Sequence, residues 1–238
     1  MVISICKLNI KINNCYEFVK QLCKDYLIDD NNGYDFEITV SEQEIEKERI
    51  DSNINDVGLL EATCALRQIG YYMLNYNAIL IHSSVLSLDN NAYGFLAPSG
   101  TGKSTHTRLW MKYFENRDIK IINGDKPIYR YFNNQLYACG NPWGGKEGYN
   151  TNCIKKVKTF CFLKQGKENK IRKLNKEEIV NKIFKQILMP KNIDQTDKVF
   201  TILNQIINDI PFYLLECNIS LDAVKVAYDA MKGEENEN

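Results

Sequence analysis

The sequence predicts an α/β protein built on a mixed β-sheet. Strand-like and helical stretches alternate along the whole chain, short hairpin turns are frequent, and one glycine-rich loop stands between an apolar strand and an amphipathic helix. Frequent hairpins argue against regular βαβ alternation, so the sheet is expected to be mixed rather than parallel. The expected division is a small α/β layer over residues 1–55, a larger domain over 56–232 and a polar, frayed tail over 233–238.

The elements follow in order. "VISICKLNIKI" alternates apolar and polar residues and reads as one half-buried strand. "CYEFVKQLCKDYL" has helical spacing, and "YDFEITV" is a strand. "SEQEIEKERI" opens with a serine followed three residues later by glutamate, the capping box of a helix start. Residues 57–75 form a long helix with an aspartate at its head. "AILIHSSVLSL" and "NAYGFLA" are strands joined by the turn "DNN". After the glycine-rich loop come a helix from about Lys103 to Phe114 and the short strand "IKIING". A second hairpin pairs "KPIYRYF" with "QLYAC" through "NN", and the loop "GNPWGGKEGYNTN" follows. The strands "KVKTFCFLKQ" and "NKIRKL", helices near 175–189 and 195–208, the strand "PFYLLEC" and the helix "SLDAVKVAYDAM" complete the chain.

Composition removes several classes of function. Thirty basic and thirty acidic residues cancel, so no charge excess points to nucleic acid or an anionic membrane. No segment reaches the ~18 apolar residues of a membrane span. The first residues read as a strand and not as a signal peptide. The eight cysteines form no CxxC pair and fall mostly in apolar runs, so reduced, buried thiols in a cytoplasmic protein are expected. With two histidines and no cysteine pairs near them, a zinc site is not expected. Monomer and homo-oligomer both stay open.

The chemistry concentrates after residue 80. The run Ala97-Pro98-Ser99-Gly100-Thr101-Gly102-Lys103-Ser104-Thr105 matches the phosphate-binding pattern G-x-x-x-x-G-K-[ST] except for its first glycine. Gly100 and Gly102, where the backbone must approach a ligand, are present. An apolar strand precedes the loop and a helix follows, so phosphates would meet a helix N-terminus. Lys103 would reach the phosphates and Ser104 a Mg²⁺ ion. Phosphoryl transfer also needs an acid near the metal. Asp125, at the end of "IKIING", supplies a carboxylate, and a plain turn aspartate is the competing reading. His82 lies fifteen positions before Ala97 in an apolar strand, where a buried core histidine is the ordinary alternative. The "DNN" hairpin would bring His82 to the same sheet end as the loop.

The 140–152 loop holds Trp143, Lys146 and Glu147 among glycines and suggests a lid or acceptor loop. There Lys146 would neutralise transferred phosphate and Trp143 would stack on base or acceptor, or merely anchor the loop. His106 would face nucleotide or solvent. Arg108 or Arg130 could stabilise charge, and the sequence does not choose between them.

The run "IHSSVLSLDNNAYGFLAPSGTGKS" resembles HPr kinase/phosphorylase, and more broadly the related ATP-dependent phosphoenolpyruvate carboxykinases, whose loop also carries S-G-T-G-K. With "NGDKP", "NPWGGKEG" and "LLECN", the pattern is similar to HPr-kinase-like proteins of bacterial peptide-modification cassettes, over roughly residues 60–226. The resemblance implies a P-loop kinase core of the HPr kinase C-terminal/carboxykinase type. It also implies an active-site role for His82 near the γ-phosphate and places Asp125 in the catalytic acid segment. Two positions depart from it: Thr105 replaces an acidic residue, and Gly124-Asp125 replaces two adjacent aspartates. The expectation is therefore a Mg²⁺-dependent, ATP-using kinase acting on a hydroxyl, with serine of a peptide or small protein as first choice. A small-metabolite kinase and a nucleotide-binding regulator without turnover are the alternatives. Whether His82 or Asp125 takes the proton stays open.

Overall fold

The computed structural model describes residues 1–14, 16–29, 31 and 33–233. The expected tail beyond 233 and Cys15 lie outside the described residues. The protein is α/β, with two mixed sheets.

The first sheet has four strands in the order β3-β1-β2-β4. They are β1 (Val2–Ile5), β2 (Leu8–Asn13), β3 (Leu27–Ile28) and β4 (Phe36–Thr39). The single strand expected over residues 2–12 is thus two. Cys6 and Lys7 adopt φ of 56° and 60°, which folds the chain back as a tight hairpin. Helices α1 (Glu17–Leu22) and α2 (Glu42–Ser52) accompany this sheet. Ser41 and Glu44 form the reciprocal capping box read from sequence. Helix α3 (Val57–Met73), capped by Asp56, is buried along most of its length. Its apolar residues share one core cluster with the first sheet, with Ile128 and Cys139 of the second, and with Trp143 of the loop after β10.

The second sheet contains β5 (Ala78–Leu80), β6 (Ser84–Leu88), β7 (Asn91–Leu96), β8 (Ile119–Asn123), β9 (Ile128–Phe132), β10 (Gln135–Cys139), β11 (Ile154–Gln165), β12 (Lys170–Lys173) and β13 (Phe212–Cys217). Its main path is β5-β9-β10-β11-β7-β6-β8, and β13 joins β11 and β12. Strands β7, β11 and β13 are parallel neighbours, and the remaining pairs are antiparallel. Both expected hairpins are present, with left-handed Asp89-Asn90 and Asn133-Asn134 at their tips. Helix α4 (Lys103–Tyr113) follows the glycine-rich loop, and α5 (Lys176–Ile183), α6 (Ile193–Asp209) and α7 (Leu221–Met231) complete the chain.

"AILIHSSVLSL" is not one strand. It divides at residues 81–83 into β5 and β6, which lie five steps apart in the strand order. Three linking residues span at most ~15 Å, whereas five flat strand spacings need ~24 Å. The sheet is therefore rolled, and residues 81–83 form the seam. Backbone bonds close it: Ser83 N donates to Asp125 O at 3.0 Å and His82 N to Gln186 O at 2.7 Å. The helix expected over 175–189 also stops early. Residues Phe184–Gln186 tighten into a 3₁₀ turn, and Ile187 then bridges to Ile81.

The expectation of uniformly reduced cysteines is corrected at one pair. The hairpin tip places Cys6 beside the end of β10, where it is disulfide-bonded to Cys139 with a Cα–Cα distance of 5.5 Å. Cys23, Cys64, Cys153, Cys161 and Cys217 are free thiols.

Candidate functional site

Three strand ends meet at one edge of the rolled sheet. The antiparallel registers Ser84↔Phe95 and Val85↔Asn123 bring the start of β6, the end of β7 and the end of β8 together. His82, the Ala97–Ser104 loop and Asp125 all emerge there.

The loop has the local geometry its composition demands. Gly100 and Gly102 take φ of 79° and 111°, in the left-handed range where side chains are rare. Pro98, Ser99 and Gly100 are exposed; Thr101, Gly102, Ser104 and Thr105 are half-buried. Lys103 turns inward. It is buried, and its Nζ donates to the carbonyl of Ala97 at 2.8 Å. Burial lowers the pKa of this ammonium against the opposing influence of Asp125.

His82 Nε2 lies 3.2 Å from Asp125 Oδ1, and both side chains are about one-third exposed. Burial alone would raise the Asp125 carboxyl. The His82 hydrogen bond and the charges of Lys126, His82 and Lys103 outweigh it and hold the group below the ordinary carboxylate value. Lys126 Nζ lies 3.8 Å from Asp125 Oδ2. The acid is thus held ionised between two cations and a histidine.

The turn carrying Asp125 is held by residues that sequence reading did not single out. Asn123 Oδ1 accepts from the N–H groups of Asp125 and Lys126 at 2.9 and 2.8 Å. Asn123 Nδ2 donates to the carbonyls of Asn141 and Trp143 at 3.2 Å, and Asn141 Nδ2 returns a bond to Lys126 O at 2.6 Å. The asparagine in "NGD" was the available signal. The 140–150 loop presses on this turn: a Cβ at Gly145 would meet Asp125 Cβ at 2.7 Å. Lys146, next in the chain, is exposed beside it, as is Glu147.

Other assignments are corrected. Trp143 does not present its ring for stacking. It is buried in the core under α3, with Nε1 donating to Ala62 O at 2.9 Å. His106 does not face solvent: it is 4% exposed, packs edge-on against Phe95, its Nε2 accepts from Trp110 Nε1 at 3.0 Å, and it contributes to the wall of the cavity beside Gly100–Gly102. Burial lowers its pKa to about 4. Arg130 ties the two sheets together through the carbonyls of Cys6 and Tyr76 at 2.6 and 3.1 Å. Arg108 is exposed on α4 beside a separate cavity near Tyr149.

Comparison with models of protein families gives no match, and comparison with curated proteins gives none either. One similar solved structure is the HPr(Ser) kinase/phosphatase from Coxiella burnetii, at 12% identity and TM-score 0.36, covering 65% of this chain and 93% of that one. At that score the likeness carries no argument about this site.

Several concavities open at this edge of the sheet, and two of them bear on the site. One of about 590 Å³ lies beside Gly100–Gly102, with Leu109, Leu163, Asn218 and Ile219 on its walls. The other, of about 400 Å³, opens onto His82 and Asp125 between Leu66, Leu80 and Leu188, with Arg67, Lys126 and Lys185 around it. Among the described residues no cluster of three metal-binding side chains occurs. Ser104 and Asp125 offer hard oxygen donors of the kind Mg²⁺ accepts alongside water and phosphate oxygens. The arrangement brings the glycine-rich loop, a buried lysine and an ionised, oriented carboxylate to the same sheet end.

Proposed function

We propose that this chain is a Mg²⁺-dependent kinase with a P-loop core of the HPr-kinase-like, carboxykinase-related type, transferring the γ-phosphate of ATP to a hydroxyl. The observation that carries this reading is the His82–Asp125 pair, 3.2 Å apart, at the sheet end that bears the Gly100–Lys103 loop.

In this reading the loop from Pro98 to Thr105 cradles the phosphates, and the Lys103 ammonium leaves the Ala97 carbonyl to bind them. Ser104 and Asp125 are the residues that would hold Mg²⁺. When bound, the ion neutralises charge on the phosphate oxygens. The acceptor hydroxyl oxygen forms the new O–P bond as the bond between the γ-phosphorus and the β–γ bridging oxygen breaks. ADP leaves with that electron pair, and the hydroxyl proton passes to Asp125. A loose transition state asks little base strength, so a carboxylate suffices. Lys146 and Lys126 offset the transferred charge.

The 590 Å³ cavity suits the nucleoside, and the 400 Å³ groove beyond His82–Asp125 suits the acceptor. The cations Arg67, Lys126 and Lys185 around that groove favour a serine segment of a peptide or small protein with acidic neighbours. The test is ADP and phosphopeptide formation from Mg-ATP with serine peptides flanked by either Glu or Lys. The expected result is matched ADP and phosphopeptide, a preference of ~10-fold or more for acidic flanks, and loss of transfer in Asp125→Ala.

A second reading is a nucleotide-binding regulator without turnover. It draws on Gly124, where a Cβ would meet Gly144 O at 3.0 Å and Tyr149 Cβ at 3.3 Å. A second adjacent carboxylate does not fit there without rearrangement. ATP binding with no turnover for any acceptor would favour this reading.

A further inference from the structure

Gln186 is 5% exposed and sits over the seam. Its carbonyl accepts from His82 N–H at 2.7 Å, and the neighbouring Ile187 bridges to Ile81, so its backbone is fixed against the His82 segment. One end of its side-chain amide faces two carbonyl oxygens, Ala97 O and His82 O, each at 3.2 Å, and His82 Nδ1 at 3.3 Å. An amide oxygen there would oppose the lone pairs of both carbonyls, whatever the state of the ring. The two carbonyls therefore set the nitrogen inward, and its N–H groups then face a ring nitrogen that carries no proton of its own.

We infer that Gln186 is a positioning residue that fixes the His82 proton on Nε2 and holds that N–H on Asp125. A ring nitrogen that accepts from an amide carries no proton, so the neutral ring carries its proton on the other nitrogen. That nitrogen, Nε2, is the one 3.2 Å from Asp125 Oδ1. Both His82 nitrogens are then engaged and neither is free to take a proton from an acceptor. His82 orients the carboxylate, and Asp125 is left as the base. The same amide also reaches Ala97 O, the carbonyl on which Lys103 rests. When phosphates draw Lys103 away, Gln186 keeps that carbonyl hydrogen-bonded, which lowers the cost of releasing the lysine. The catalytic meaning rests on the kinase reading; the tautomer does not.

The chain has two histidines, and the geometry gives them opposite tautomers. His106 accepts at Nε2 from Trp110, so its proton is on Nδ1, and it serves as the internal reference. The experiment is nitrogen-15 NMR of both imidazole rings at about pH 8.5, above the ordinary histidine range. Expected in the wild type is one ring protonated at Nε2, His82, and one at Nδ1, His106. Gln186→Met keeps the volume and removes the donor. It should convert His82 to a tautomer mixture and leave His106 unchanged. Phosphoryl transfer should fall by about 10-fold or more, on the scale of losing a histidine's orienting partner, and ATP affinity should weaken as well, because release of Lys103 then leaves the Ala97 carbonyl without a donor. A wild-type His82 protonated at Nδ1 overturns the inference, whether or not Gln186→Met folds. So does a folded Gln186→Met protein whose His82 signals match the wild type. Absence of ATP turnover would sink the kinase reading and not this one, which the wild-type spectrum decides.

Discussion

The ammonium of Lys103 rests on the carbonyl of Ala97, 2.8 Å away and buried. The loop thus holds its own cation against its own backbone. Lys103→Met should leave the fold intact, because in the orientation inferred for Gln186 its amide still serves the Ala97 carbonyl. ATP affinity should fall by ~1.5–3 kcal/mol, the worth of a charge-assisted hydrogen bond. Calorimetry on folded protein checks this, and equal affinity in the variant would remove the nucleotide site.

His82→Ala removes the group that orients Asp125. Thermal stability and ATP binding should stay near wild type, since the ring is about one-third exposed. Phosphoryl transfer should fall ~10²–10⁴-fold, the range for disabling proton-transfer machinery. A variant that melts early yet turns over normally when folded would make His82 a packing residue.

Asp125 also predicts an acid limb. Its folded pKa lies below the ordinary 3.8, so its ionised form stabilises the fold above the unfolded pKa. That contribution is lost as pH falls through the depressed folded value. Melting curves from neutral pH downward should show the wild type losing stability below about pH 4. Asp125→Asn should be flatter over that window. Parallel curves would show that the His82–Asp125 pair adds nothing to the fold.

Trp143 is assigned to packing. Trp143→Ala should destabilise by ~3–5 kcal/mol, the cost of emptying a large core site. Trp143→Phe should cost far less and leave ATP affinity unchanged. Scanning fluorimetry and calorimetry separate these effects; weakened ATP binding in the Phe variant would restore a stacking role.

The Cys6–Cys139 pair is checked by thiol counting in denaturant, with and without prior reduction. Two fewer reactive thiols are expected before reduction than after. Equal counts would show both cysteines free.

What was legible in the sequence was local. The Ser41–Glu44 box, the Asp56 cap and the two asparagine-rich hairpins depend on residues within a few positions of each other, and each formed where read. The glycine-rich loop and Asp125 carried their own signatures, and the register of β6 with β7 brought His82 to their end of the sheet. What escaped was non-local. No glycine or proline between Ile79 and Leu86 marks a break, and the polar His82-Ser83-Ser84 fits a continuous strand equally well; the break is imposed by Gln186, Ile187 and Asp125 from elsewhere in the chain. Gln186 looked like an ordinary helical residue for the same reason. Trp143 misled in the opposite direction: its glycine-rich neighbours suggested exposure, while α3 supplied a buried socket.

The seam at residues 81–83 has a kinetic consequence. The bonds that close it, from Ser83 to Asp125 and from His82 to Gln186, join segments distant in sequence. Such contacts form only after the loop-closure entropy between them has been overcome, so they belong to the slow, late part of folding. His82 therefore meets Asp125 only when the sheet has rolled shut. A chain whose seam is still open has no assembled His82–Asp125 pair, and on the proposed kinase reading the onset of turnover during refolding would time the closure of the seam.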